Sequence, residues 1–170
     1  MRRALPPVLV ATLFIVAVQL SILSSLRFYG VVIMLVWLWP LAMGLTGNTS
    51  LALVTALVAG VFFDTHATTP FGLTALVGLV LAYAASRLGK EGVGDLDSAA
   101  WWVTPVLAAL GGLVAPVLYI VAGTGTLDFN LWRGSVLSMM MVNAVAFLVL
   151  ARPTVRLART LANVGEKVHR

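Results

Sequence analysis

Charge is scarce in this sequence. Only 10% of its 170 residues are Asp, Glu, Lys or Arg, and just six of those are acidic. A soluble domain typically carries about a quarter. So few charges cannot coat the core of a large soluble fold. The scarcity therefore excludes a soluble globular domain, a disordered chain and a nucleic-acid reader with a charged face. Cysteine is absent, which argues against a disulfide scaffold. What fills the chain is apolar: 61% of residues are hydrophobic and the mean hydropathy is +1.03. The sequence reads as integral to a membrane.

The charges leave five uncharged runs, at residues 4–26, 28–63, 65–86, 98–127 and 134–151. One span needs roughly 20 helical residues. The run 28–63 would make a helix of about 54 Å, too long for one crossing. It is interrupted at Thr46-Gly47-Asn48-Thr49-Ser50, which carries turn chemistry. The pattern thus predicts an all-α integral membrane protein with six transmembrane helices, near 5–24, 30–45, 50–63, 70–86, 101–122 and 134–151. These form one domain, 1–151, followed by a tail at 152–170. Unbroken apolar blocks, rather than alternation at period two, argue against a β-barrel. The first block is longer than a typical signal-peptide core and no A-x-A site follows it, so it reads as an uncleaved span.

Basic residues orient such a chain. With the N-terminus inside, nine of the eleven fall on the inner side and only Arg27 and Arg133 on the outer. Both termini are therefore expected in the cytoplasm. The loop 87–100 reads as a linker between helices four and five. The tail places Leu157, Leu161, Val164 and Val168 on one stripe among Arg156, Arg159, Lys167 and Arg170. That reads as a basic amphipathic helix, opened by Pro153, on an anionic membrane surface; contact with a cytoplasmic filament is the alternative.

Asp64 is the one acid that punctuates the apolar hairpin sequence. Ala52, Ala56, Gly60 and Asp64 recur every four residues and share one helix face. Small residues on that face let a second helix approach closely. The next helix carries its own small face, Ala75, Gly78, Ala82 and Ala85. Thr69 is expected to cap that helix and Pro70 to occupy its first turn. Its free N–H groups and positive dipole end then suit a carboxylate. Asp64 is read first as a latch of this hairpin, with a ligand or proton role as the alternative.

The stretch from Gly60 to Leu88 resembles the rod-shape-determining protein MreD family. The matching residues are Gly60, Asp64, Pro70, Phe71, Gly72, Leu73, Ala75, Leu76, Ala82 and Tyr83. The rest of the chain resembles the family in hydropathy only. The resemblance implies a non-catalytic component of the bacterial elongation machinery in the inner (cytoplasmic) membrane. It supports lateral peptidoglycan synthesis and rod shape. The implied partners are MreC and, through it, the MreB filament, RodA and a penicillin-binding protein. The implied fold is similar to the substrate-binding S-components of energy-coupling-factor transporters.

Other polar residues have plainer readings. Gln19 and Asn143 are amides within spans, expected to form interhelical hydrogen bonds rather than to contact a substrate. His66 beside Asp64 reads as a solvated loop histidine, since one His and one Asp cannot complete a metal site. Met139-Met140-Met141 reads as adaptable packing. Pro105, Gly111, Gly112 and Pro116 permit a kink in the fifth span. The outer loop 123–133, with Phe129, Leu131 and Trp132, suits either membrane anchoring or docking of an MreC-like partner.

No Gly-rich phosphate loop, cysteine or paired acid–base set is present, so an enzyme is not expected and no cofactor or metal is implied. Two functions remain. One is a scaffold that gathers partners through helix faces. The other is the substrate-binding membrane subunit of a vitamin or small-molecule transporter.

Overall fold

A computed structural model describes residues 4–23, 25, 27–28, 31–66, 70–90, 96–123 and 129–163. Among them are six α-helices: α1 (Leu5–Val18), α2 (Leu35–Leu45), α3 (Thr49–Asp64), α4 (Leu73–Lys90), α5 (Leu96–Val121) and α6 (Phe129–Asn163). A π-helical turn, Gln19–Leu23, extends α1. A small antiparallel ladder pairs β1 (Arg27–Phe28) with β2 (Val31–Val32). Four helical stretches are long and apolar enough to cross a membrane: Leu5–Leu23, Leu73–Lys90, Trp101–Leu118 and Val136–Asn163. The protein is a helical membrane protein.

The other two helices depart from the expected spans. α2 has 11 residues and α3 has 16. At 1.5 Å per residue they are about 16 and 24 Å long, short of the roughly 30 Å hydrocarbon layer. The expected helix 30–45 begins only at Leu35, because Val31 and Val32 are in the ladder. A β-branched apolar run has no periodicity to separate extended chain from buried helix.

α2 is the centre of the molecule. Each residue from Val36 to Leu45 is buried, including Trp37 and Trp39. It packs against α1, α3, α4, α5 and α6. A helix that is apolar all round belongs in such a position. Its end is set by the turn at Thr46 and Gly47. Gly47 adopts φ +80, and the Thr46 hydroxyl donates to the Met43 carbonyl at 2.7 Å. Asn48 then caps α3, its side chain accepting from Leu51 N at 3.2 Å.

Close packing comes from small residues. A Cβ placed on Gly60 would lie 2.5 Å from the backbone nitrogen of Ala75 and 2.7 Å from its Cβ. At Gly78 the nearest atom, Ala56 Cβ, is an ordinary 3.6 Å away. These contacts join α3 to α4. The second half of the α4 face also meets α2. A Cβ on Gly44 would lie 2.7 Å from the Ala82 carbonyl oxygen and 2.8 Å from Ala85 Cβ. Ala82 and Ala85 thus lie against α2, a neighbour beyond the expected α3–α4 hairpin. α2 lies against the lower half of α4, and the sequence spacing gave no sign of it.

Three further boundaries differ. α5 starts at Leu96, inside the expected linker 87–100, while residues 91–95 lie outside the described residues. α6 starts at Phe129, so residues 129–133 of the expected outer loop are helical. α6 also runs unbroken through Pro153 to Asn163, so the expected separate tail helix is its continuation. Proline removes one helical N–H, but membrane helices tolerate this where neighbours compensate. The carbonyl that Pro153 leaves without a helical donor is that of Val149; the Thr154 hydroxyl donates to the next one, Leu150, at 2.5 Å. Ala151, Val155 and Ala158 are buried and hold the helix to the bundle. Leu157, assigned from its spacing to a membrane-facing stripe, is 49% exposed, and Val164 and Val168 lie outside the described residues.

The Gly60 and Gly78 contacts predict opposite outcomes for one substitution. Gly60→Ala drives a methyl into the α4 backbone and is expected to cost about 1–3 kcal/mol, as overpacking does. Gly78→Ala gains helix propensity and is expected to be neutral or stabilising by up to about 1 kcal/mol. Unfolding of the purified variants in mild detergent on titration with SDS checks both values. Equal effects would contradict the packing described.

Candidate functional site

Two buried polar side chains, Gln19 and Asn143, converge on the start of α2. α1 presents one buried stripe, Val8, Thr12, Val16 and Gln19. The π-turn begins at Gln19, and such turns recur at functional positions in helices. The Gln19 Nε2 donates to the Ile33 carbonyl at 3.0 Å. Its Oε1 accepts from Leu35 N at 2.8 Å. From the opposite side, Asn143 Oδ1 accepts from Met34 N at 2.8 Å, and its Nδ2 donates to the Met139 carbonyl at 3.0 Å. Both amide residues are fully buried.

Two residues 124 positions apart in sequence thus serve three consecutive backbone units, Ile33 to Leu35. Gln19 lies within Leu5–Leu23 and Asn143 within Val136–Asn163, both long enough to cross the membrane. The start of α2 is therefore enclosed by helices of membrane-spanning length. There an unsatisfied backbone group costs several kcal/mol, and non-helical chain survives only where protein supplies partners. A third anchor lies deeper: Trp39 Nε1 donates to Thr12 Oγ1 at 2.9 Å, and Thr12 in turn donates to the Val8 carbonyl at 2.7 Å.

The second polar locus is the α3–α4 turn. Asp64 closes α3 and is only 4% exposed. Its Oδ2 accepts from Thr74 N, in the first turn of α4, at 3.1 Å. A carboxylate at a helix N-terminus is favoured by the free N–H groups and the dipole. α4 begins at Leu73, so Pro70 lies before the helix and not in its first turn. Its carbonyl accepts from Leu73 N at 3.2 Å. Thr69, expected as the cap, lies outside the described residues. Gly72 adopts φ +87, a conformation that side chains disfavour, and its carbonyl accepts from Leu76 N at 2.9 Å. Phe71 is 71% exposed. His66 turns away from Asp64: its Nδ1 lies 3.0 Å from the Phe62 carbonyl and 2.9 Å from Thr65 Oγ1.

The motif residues fall into three groups. Gly60 and Ala75 meet directly, with Ala52 and Ala56 buried on the same α3 face. Asp64, Pro70 and Gly72 shape the turn above them. Gln19 and Asn143 meet around α2, far from that turn in sequence. Among the methionines, Met140 places its backbone 2.9 Å from a Cβ built on Gly112, Met139 supplies a carbonyl to Asn143, and Met141 is exposed. Sequence reasoning missed Thr12, Trp39 and Gly44. The first had a signal, since Thr12 shares the helix face of Gln19 seven residues on.

Chemically, these loci hold chain rather than substrate. Amides do not titrate near neutral pH, and both grip main-chain atoms. Among the described residues, no group of three or more His, Cys, Asp or Glu is placed to hold a metal ion.

Asn143→Leu leaves Met34 N without its acceptor and is expected to cost about 1–3 kcal/mol, the penalty of an unsatisfied buried donor. Gln19→Leu strips two backbone groups and is expected to cost more. The two losses should not add simply, because both residues hold one segment. SDS unfolding of the single and double variants measures this, and two independent, additive losses would contradict a shared role.

Comparison of the chain with protein-family models, with characterised proteins and with solved structures yields no match.

Proposed function

We propose that this chain is a non-catalytic membrane scaffold of the MreD type. It acts in the bacterial inner membrane, where it binds an MreC-like protein and supports lateral peptidoglycan synthesis. In this reading the chain crosses six times with both termini in the cytoplasm, as nine of its eleven basic residues favour. α2 and α3 then complete their crossings with the flanking non-helical chain.

The observation that carries the reading is how the polar groups are used. Gln19 and Asn143 bind the backbone at 33–35, Thr12 binds Trp39, and Asp64 binds the first turn of α4. These four side chains serve the chain's own architecture, which suits holding partners rather than transforming a substrate. The motif-bearing α3–α4 hairpin supports the same conclusion: Gly60 on Ala75 and Asp64 on Thr74 make it a rigid unit for a partner to meet. The likeness to S-components of vitamin transporters rests on the family resemblance alone.

A second reading has one observation in its favour. A short helix that starts at a buried position after non-helical chain is also how transporters build substrate sites. The substrate-binding subunit of a small-molecule transporter is therefore the alternative, with the cavity on the outer side above α2.

Affinity purification of the tagged full chain from a bacterial host in mild detergent separates the two. The scaffold reading expects a single-span MreC-like protein and cell-wall synthases to co-purify. Recovery of an ATPase-containing energising module in their place overturns it. Asp64→Asn is expected to weaken the charge-assisted bond to Thr74 N and lower stability by about 1.5–3 kcal/mol, with partner recovery falling in proportion to the folded fraction. Full stability with partner recovery abolished would instead make Asp64 a binding residue.

A further inference from the structure

A groove of about 290 Å³ lies between α1, α2 and α6. α1 contributes Ile15, α2 contributes Leu38 and Trp39, and α6 contributes Leu150, Pro153 and Leu157. The polar atoms in its walls already have partners. The Trp39 N–H donates to Thr12, and the hydroxyl of Thr154, also in the wall, donates to the Leu150 carbonyl. The groove thus offers methyl, methylene and aromatic-face contacts. It lacks the placed hydrogen-bonding groups that orient a polar small molecule. A helix of a partner is about 10–12 Å across and would enter such a space with one or two side chains. A methylene chain fills it along its length.

The groove also lies where α6 changes character. Residues 134–151 carry no charge, and Arg152 and Arg156 follow, both exposed. Arg156 is three residues after Pro153 and directly before Leu157, so it stands beside the groove on the basic side. An apolar slot with a cation at its edge, at the level where apolar helix becomes basic helix, matches one ligand chemistry: an acyl chain ending in an anionic head group.

We infer that this groove binds one acyl chain of an anionic phospholipid, with the chain along Leu150, Pro153 and Leu157 and the phosphate at Arg156. The site is independent of the scaffold reading and holds whichever partners the protein has. Arg is suited to the task because its planar fork pairs with phosphate oxygens.

Native mass spectrometry of the purified full chain tests the site. The protein is titrated with phosphatidylglycerol and, separately, with phosphatidylcholine of the same acyl chains. The glycerol lipid is expected to bind about fivefold more tightly, the effect of one basic residue near an anionic surface. Arg156→Gln is expected to remove that preference, weakening phosphatidylglycerol more than phosphatidylcholine, whose phosphate is balanced by its own choline. Leu157→Trp fills the groove and is expected to weaken both lipids about tenfold, as loss of buried methylene contacts does. Because the chain has no cysteine, Leu157→Cys provides a unique thiol. Coupling it to an alkyl thiosulfonate after folding blocks the groove in a protein already assembled. Equal binding of the two lipids by the unaltered protein overturns the anionic assignment. Undiminished binding by the Trp variant or the alkylated Cys variant places the chain elsewhere. A photocrosslinker on the same thiol that captures a polypeptide in native membranes, in place of lipid, gives the groove to a partner and overturns the proposal.

Discussion

In hydrocarbon a peptide group without a partner has no water to turn to, and this constraint organises the whole molecule. Ile33 and Met34, just before α2, are not helical, so the N–H and carbonyl groups at 33–35 need donors and acceptors from elsewhere. Gln19 and Asn143 provide them. An amide is suited to this because it carries a donor and an acceptor on one rigid plane and remains neutral. An ionised group in the same place would add a desolvation cost. With 33–35 satisfied, α2 can start at a buried position and stand at the centre. The remaining helices pack around it.

Centring α2 sets a second requirement, which is room. Two bulky indoles, Trp37 and Trp39, occupy the α2 surface, so the neighbouring helices must come close elsewhere. They do so at glycine and alanine. Gly44 of α2 lies on Ala82 and Ala85 of α4, and Gly60 of α3 lies on Ala75 of α4. α4 is therefore gripped along its length by two helices, with Asp64 fixing its N-terminal turn. Dispersion between close backbones replaces the water-driven burial that holds soluble bundles together. Arg87 and Lys90 sit in the last turn of α4, where cations suit the dipole.

What was legible in the sequence was whatever depends on local spacing. The turn at Thr46-Gly47-Asn48 has the residues a left-handed glycine and an asparagine cap require, and the chain turns there. The four-residue recurrence ending in Asp64 names a face, and Gly60 on that face meets α4. What was not legible depends on non-local partners. Nothing around Val31 or Leu35 signals that the helix starts five residues late, because the amides that permit it come from residues 19 and 143. Pro153 reads as a boundary, but a buried stripe of Ala151, Val155 and Ala158 carries α6 through it. Arg152 and Arg156 look like the opening of a surface helix, since sequence alone cannot show that Val155 and Ala158 between and beyond them are buried.

The same economy of polar groups bears on what the protein can do. Each interior polar residue with a described partner grips main chain or another structural side chain, so removing one alters where a helix lies before it alters any chemistry. The outer surfaces are different. Val10, Phe14, Trp101, Val121, Val145 and Val149 are exposed on α1, α5 and α6, and lipid covers such residues as readily as a partner's helix does. A flat apolar face gives affinity without selectivity, because lipid competes with equal hydrophobicity. Selectivity therefore has to come from shape: from the small-residue steps on α3 and α4, and from the groove beside Pro153. A rigid interior is the condition for that. Only if α2 is locked in place by Gln19 and Asn143 do the surrounding helices keep relative positions constant enough for a second protein or a lipid to read them.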